Sequence, residues 1–165
     1  MSEVPLSDIE AINRQLGRLP RGVVKVAHRC DCGQPSVVMT APRLEDGTPF
    51  PTTYYLTCST LASRIGTLEA DGVMRDLEAR LAEDAGLRDA YRLAHESYLR
   101  DRYELEDVPE IHGISAGGMP DRVKCLHVLV AHSLAKGPGV NPLGDLVLEM
   151  LGSWGSTPCG EGVDS

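Results

Sequence analysis

Apolar positions recur along this chain with two different periods, and the change from one to the other divides it. Ile9, Ile12 and Leu16 recur at helical spacing, and Gly17 is placed to end that helix. Ser7 followed by Glu10 reads as a capping box at its start. Residues 1–16 are therefore expected to form a helix that covers a sheet edge. From Val23 the residues become β-branched and the period shortens. Val23 to His28, Ser36 to Thr40 and Thr52 to Cys58 read as three strands. Gly33 with Gln34-Pro35 supplies a hairpin turn, and Glu45 to Pro51 supplies a longer loop.

After Ser59 the helical period returns. Leu61, Ile65 and Leu68 fit one helix, Val73, Leu77 and Leu81 a second, and Leu87, Tyr91, Ala94 and Tyr98 a third that runs to about Tyr103. Acidic residues and Arg alternate on their outer faces, as on a solvated surface. Glu104 to Glu110 reads as a linker. Pro120 is expected to open a further helix, with Val123, Leu126, Val130 and Leu134 on one arc and Gly137 after its end. Asn141-Pro142 starts a last helix through Leu151. Residues 152–165 are rich in Gly, Ser, Thr and Pro and are expected to be a disordered tail. The pattern predicts an α+β fold: a small three-stranded antiparallel sheet packed by five to six helices, with residues 17–151 as a single domain.

Composition adds limits. The chain has 165 residues, enough to bury a core without disulfides. Aromatic residues are only 4%, so the core must be built from aliphatic side chains. A formal charge of −8 argues against general nucleic-acid binding, which needs a basic face. No run reaches the length of a membrane span, and no leader pattern opens the chain, so a cytoplasmic protein is expected. The five Cys are an odd number, and in a reducing compartment thiols serve as ligands, nucleophiles or small buried residues.

Two groups of residues carry candidate chemistry. Cys30 and Cys32 close the first hairpin, and the third strand returns Cys58 toward them. Three thiolates and a fourth ligand suit tetrahedral zinc, and four thiolates equally suit an iron–sulfur cluster. Cys125, near a helix start that favours thiolate, is the preferred fourth ligand. His28, His127 and His132 are substitutes. In a helix opened at Pro120, Cys125 and His127 lie about 200° apart. They can share an ion only if the helix starts later. The second group is the glycine-rich approach Ser115-Ala116-Gly117-Gly118. Its backbone N–H groups before a helix, with the cations Arg122 and Lys124, could bind an anion, and His127 could act as an acid or base. No complete phosphate-loop or dinucleotide fingerprint is present, and glycines also serve plain turns.

Several blocks carry a resemblance: Arg29-Cys30-Asp31-Cys32-Gly33, Asp46 to Thr52, Tyr54 to Cys58, Gly72-Val73-Met74, Ser115 to His127 and Gly137 to Pro142. Together they resemble an actinobacterial family known only as a domain of unknown function (DUF501-like). The likeness runs from about Leu16 to Leu151. It implies no activity and no catalytic residue. Two functions remain open from the residues. One is a protein with a Cys-rich zinc or iron–sulfur site joining sheet to helix, acting through a protein partner. The other is an enzyme or binder for a small phosphorylated or anionic ligand, using the loop before Pro120.

Overall fold

The structure is a computed structural model that describes residues 4–18 and 21–152. Three strands follow the first helix: β1 (Val23–Arg29), β2 (Pro35–Thr40) and β3 (Tyr54–Leu56). They form one antiparallel sheet in the order β1-β2-β3. Val38 of the central strand pairs with Val26 on one side and Tyr55 on the other. Every residue of β2 is buried, because both faces of this strand are covered. Side chains alternate across it. Val37 and Met39, with Tyr54 and Leu56, face the main core. Val38 and Tyr55 face the other side, where α1 (Leu6–Leu16) lies with Ala11 and Ile12 buried.

The start of α1 differs from the capping box expected at Ser7. The helix begins at Leu6 after Pro5, and no side chain caps it. Asp8 of the first turn instead takes both Nη atoms of Arg29, at 3.0 and 2.6 Å, and so ties α1 to the end of β1.

The helices α2 (Ser59–Ala70), α3 (Val73–Glu83) and α4 (Ala85–Leu105) follow the predicted periods closely. The last two are α5 (Leu126–Lys136) and α6 (Pro142–Leu151). The described residues thus form a single α+β domain with six helices and a three-stranded sheet. The expected disordered tail falls, apart from Gly152, outside the described residues, as does Cys159.

The helix expected to open at Pro120 does not. The helix begins six residues after the predicted start, at Leu126, and the segment before it folds back on itself. The N–H groups of Arg122 and Lys124 reach back to the carbonyls of Gly118 and Gly117, both at 2.8 Å. Gly118 has φ of +94°, and a β-carbon there would lie 2.7 Å from the Arg122 carbonyl oxygen. Only glycine fits so close a return. Two carboxylates hold the far side: Glu78 accepts the Val123 N–H and Glu69 accepts the Leu126 N–H.

Helix α5 is apolar nearly all round and sits in the middle of the molecule, packed against α6, α2 and the sheet. It meets α6 at a very close crossing: a β-carbon on Gly144 would lie 2.2 Å from the Leu129 carbonyl oxygen and the Ser133 hydroxyl. A second internal tie is Arg102, fully buried on α4. Its guanidinium donates to the carbonyls of Pro51 (2.6 Å), Ser115 (2.7 Å) and Ile111 (3.3 Å), and to that of Ile114. One side chain thereby fixes both the loop before β3 and the approach to the glycine turn.

Candidate functional site

The late start of α5 decides which chemical groups meet. Cys125 becomes the residue just outside the helix and His127 its second residue. Extended backbone at Cys125 (φ −154°, ψ 111°) turns its side chain toward α2. The two groups that a helix from Pro120 would hold apart now approach, with Cys125 Sγ 4.0 Å from His127 Nδ1. Glu69, in the last turn of α2, brings its Oε2 to 3.3 Å from the same Nδ1. The three ligand atoms all lie within 4.8 Å of one another, and each residue is half-buried. Among the described residues this is the group whose His, Cys and carboxylate donors converge.

The remaining bonds fix the orientation. His127 Nε2 lies 3.0 Å from the carbonyl oxygen of Ala62. A carbonyl can only accept, so Nε2 carries a proton. In the neutral ring that leaves the lone pair on Nδ1, aimed at the sulfur and the carboxylate. Glu69 Oε2 is itself held by the Leu126 N–H at 2.9 Å. This is a carboxylate at a helix N-terminus, where the positive end of the dipole favours it. Ala62, Gly66 and Glu69 share one stripe of α2. A β-carbon at Gly66 would meet nothing within 4 Å, so the middle of this stripe carries no packed neighbour.

The electrostatics are consistent with mutual stabilisation. The hydrogen bond with Cys125 raises His127 to about 9, against the opposing effect of burial, and Ala62 and Glu69 add to the rise. Burial pushes the Cys125 thiol up, but the His127 ring and the Val128 N–H outweigh it, and the thiol ends below its ordinary value. The lowered thiol and the raised imidazole each favour the charged form of the other. With a metal ion present, the same thiolate and a neutral ring become ligands.

The four-thiol set expected from the sequence does not form among the described residues; Cys125 has Glu69 and His127 for company instead. The reason lies in α2. Cys58 precedes the first turn of that helix, and its sulfur accepts the Leu61 N–H at 3.4 Å. Glu69 lies eleven positions further on, about 16 Å along a helix axis. A thiol docked at Glu69 is out of reach of one at Cys58. Cys30 is buried just after β1, and Cys32 is half-buried in the hairpin turn. His28 instead places Nδ1 2.6 Å from the Ser36 hydroxyl. His132 is buried in the core beside Asn141.

The second candidate group lies in the segment before α5. Gly117 and Gly118 form the tight return described above. Arg122 donates through Nε to Glu78 at 2.9 Å, and Lys124 is exposed. Glu78 sits below the usual carboxylate range, first through the Val123 N–H and then through Arg122. The Arg122 and Lys124 amides are used within the loop.

Glu69 was not visible in the sequence. It sits in an acidic, Arg-laced helical region and has the pattern of a solvated residue. Its one distinguishing mark is the stripe of small residues it shares with Ala62 and Gly66.

The family model described as "Protein of unknown function (DUF501)" matches residues 26–149. That span contains all three converging residues. No curated protein and no solved structure matches the chain. No helix among the described residues is long and apolar enough to cross a membrane.

Proposed function

We propose, for a chain that belongs to the DUF501 family of unknown function, that Glu69, Cys125 and His127 hold one divalent metal ion, zinc by the nature of the donors. The observation that carries this is the sharing of His127 Nδ1. Sulfur and carboxylate both face that nitrogen, at 4.0 and 3.3 Å. A nucleophilic triad needs the carboxylate on the ring nitrogen opposite the thiol, where it can orient the base. Here the opposite nitrogen faces a carbonyl. That is the arrangement of a metal-ligating histidine, whose other N–H is held by a backbone oxygen.

The spacing also suits the ion. Zinc–ligand lengths near 2.3 Å for sulfur and about 2.0 to 2.2 Å for nitrogen and oxygen put tetrahedral donors ~3.4 to 3.6 Å apart. Small side-chain adjustments close the observed gaps to those values. Three protein ligands leave a fourth position for water or a substrate. A site of that kind can polarise a bound water or a substrate oxygen, so the reading favours a metal-dependent enzyme over a purely structural ion.

The test is metal analysis of protein purified without chelator, followed by cobalt substitution. About one ion per chain is expected. The cobalt form should show tetrahedral d–d bands and thiolate-to-cobalt charge transfer, and Cys125→Ser should abolish the charge transfer. Glu69→Gln and His127→Gln should each lose the ion while remaining folded by circular dichroism. Folded protein that takes up neither zinc nor cobalt would overturn the proposal. So would an unchanged spectrum in Cys125→Ser.

A further inference from the structure

A second site lies on the opposite face of the sheet. Val38 and Tyr55 are direct cross-strand partners, as are Val23 and Thr40. These residues form the floor of a hollow of about 170 Å³ just beyond the end of α1. The helix covers only part of this face, since it stops at Leu16. Phe50 forms one wall, its ring centroid 6.3 Å from that of Tyr55. This is the one phenylalanine in a chain poor in aromatic residues. The mouth carries two arginines, Arg18 and Arg21, on a chain whose formal charge is −8.

The charges at the mouth are unequal. Arg21 is paired with Asp46 at 2.9 Å. The bond from Arg18 goes to a neutral phenol, the Tyr55 hydroxyl, at 3.2 Å. Among the described residues Arg18 meets no carboxylate at ion-pair distance, so its guanidinium is the cation at the mouth that a ligand carboxylate would meet. A guanidinium fork matches a carboxylate in two parallel hydrogen bonds. A dry cavity of about 150 Å³ is enough for a single benzene ring.

We propose that this hollow binds a small apolar monocarboxylate: a body of one ring or one short branched acyl group against Val38, Tyr55 and Phe50, with its carboxylate on Arg18 and Arg21. The site is independent of the metal reading. It lies on the α1 side of the sheet, whereas Glu69, Cys125 and His127 belong to helices packed on the other.

The test is calorimetric titration of the full chain with benzoate and with 3-methylbutanoate. Benzamide, the uncharged shape match of benzoate, and inorganic phosphate serve as controls. At least one of the carboxylates should bind, with benzamide and phosphate at least tenfold weaker. Arg18→Gln with Arg21→Gln should weaken carboxylate binding tenfold or more, with the melting temperature of the unliganded protein little changed. The titration is repeated after exhaustive dialysis against EDTA and should give the same affinity. Absence of binding by both carboxylates overturns the proposal, as does equal binding of benzamide. An affinity that vanishes with the metal also overturns it, because it assigns the carboxylate to the ion. Unchanged carboxylate binding after dialysis upholds this site even if the metal proposal fails.

Discussion

At the scale of single residues, the molecule concentrates its chemistry where backbone ends meet. Glu69 is at once a proposed ligand and the acceptor for the first N–H of α5. Glu69→Gln should therefore show two separable effects. Metal affinity should fall steeply. The metal-free protein should lose only about 0.3–1 kcal/mol, the usual scale of a charge at a helix N-terminus. Urea unfolding with and without chelator separates them. Arg102 is the contrasting case, a residue with a large structural role and no chemistry. Its guanidinium is surrounded by carbonyl oxygens, and burial holds its pKa down. Arg102→Met removes the donors and leaves those carbonyls without partners. At roughly 1–3 kcal/mol for each unsatisfied buried group, the loss should exceed 3 kcal/mol. Arg102→Lys should recover little, because one ammonium cannot reach oxygens that a planar fork spans. If the Lys variant unfolds at the same urea concentration as wild type, the fork geometry is irrelevant and this account fails.

At the scale of elements, the seam between α5 and α6 makes a sharp demand. A β-carbon on Gly144 would lie 2.2 Å from backbone oxygen on the facing helix. Gly144→Ala must push the helices apart, and the cost should reach the upper part of the ~1–3 kcal/mol typical of overpacking. Gly66→Ala on α2 meets open space and should be neutral or slightly stabilising, since alanine favours helix. Thermal melts of the two variants should move in opposite directions, or only the Gly144 variant should move. The same seam shows which elements could be read from sequence. α6 begins at Pro142 and ends at Leu151 as its proline and apolar spacing dictate. The three strands also lie where β-branched runs placed them. These signals are local. The start of α5 was misplaced because Pro120 resembles an ordinary first helical residue. What delays the helix is distant: Glu78 and Glu69 take the N–H groups of Val123 and Leu126. The converging group differs from the expected one for the same reason. Cys125 and His127 were both recognised, and their pairing was tied to a later helix start. Their third partner is 56 positions before Cys125, a distance that no local spacing encodes.

At the scale of the whole molecule, the core is unusual in holding polar rings in an aliphatic setting, and this should make stability respond to acid. His132 is fully buried. It stacks on Tyr54 with ring centroids 5.7 Å apart and meets the edge of Tyr98 at 5.1 Å. Its Nδ1 lies 3.2 Å from the Asn141 amide nitrogen, which donates to it. Burial pushes its pKa down to about 4, with Lys136 adding to the fall and Asp101 and Asp145 opposing it. The native state therefore keeps this ring neutral, while the unfolded chain protonates it near the ordinary value of about 6.5. Above that value neither state binds the proton, and the full stability is present. As pH falls from about 6.5 toward about 4, only the unfolded chain gains a proton, and stability drops. Over some 2.5 units the loss is about 3 kcal/mol at 1.36 kcal/mol per unit. His28 and His95, also lowered by burial, add to the same slope. His127, raised to about 9, opposes this slope only near pH 6.5, where its unfolded ring is half protonated, and adds nothing lower down, where both states hold the proton. His132→Gln keeps an acceptor for Asn141 and removes the proton site. Its urea midpoint should start lower at pH 7 and then vary much less between pH 6.5 and 4. If the Gln variant keeps the wild-type slope across that interval, the acid response arises elsewhere and the buried ring is a passive part of the core.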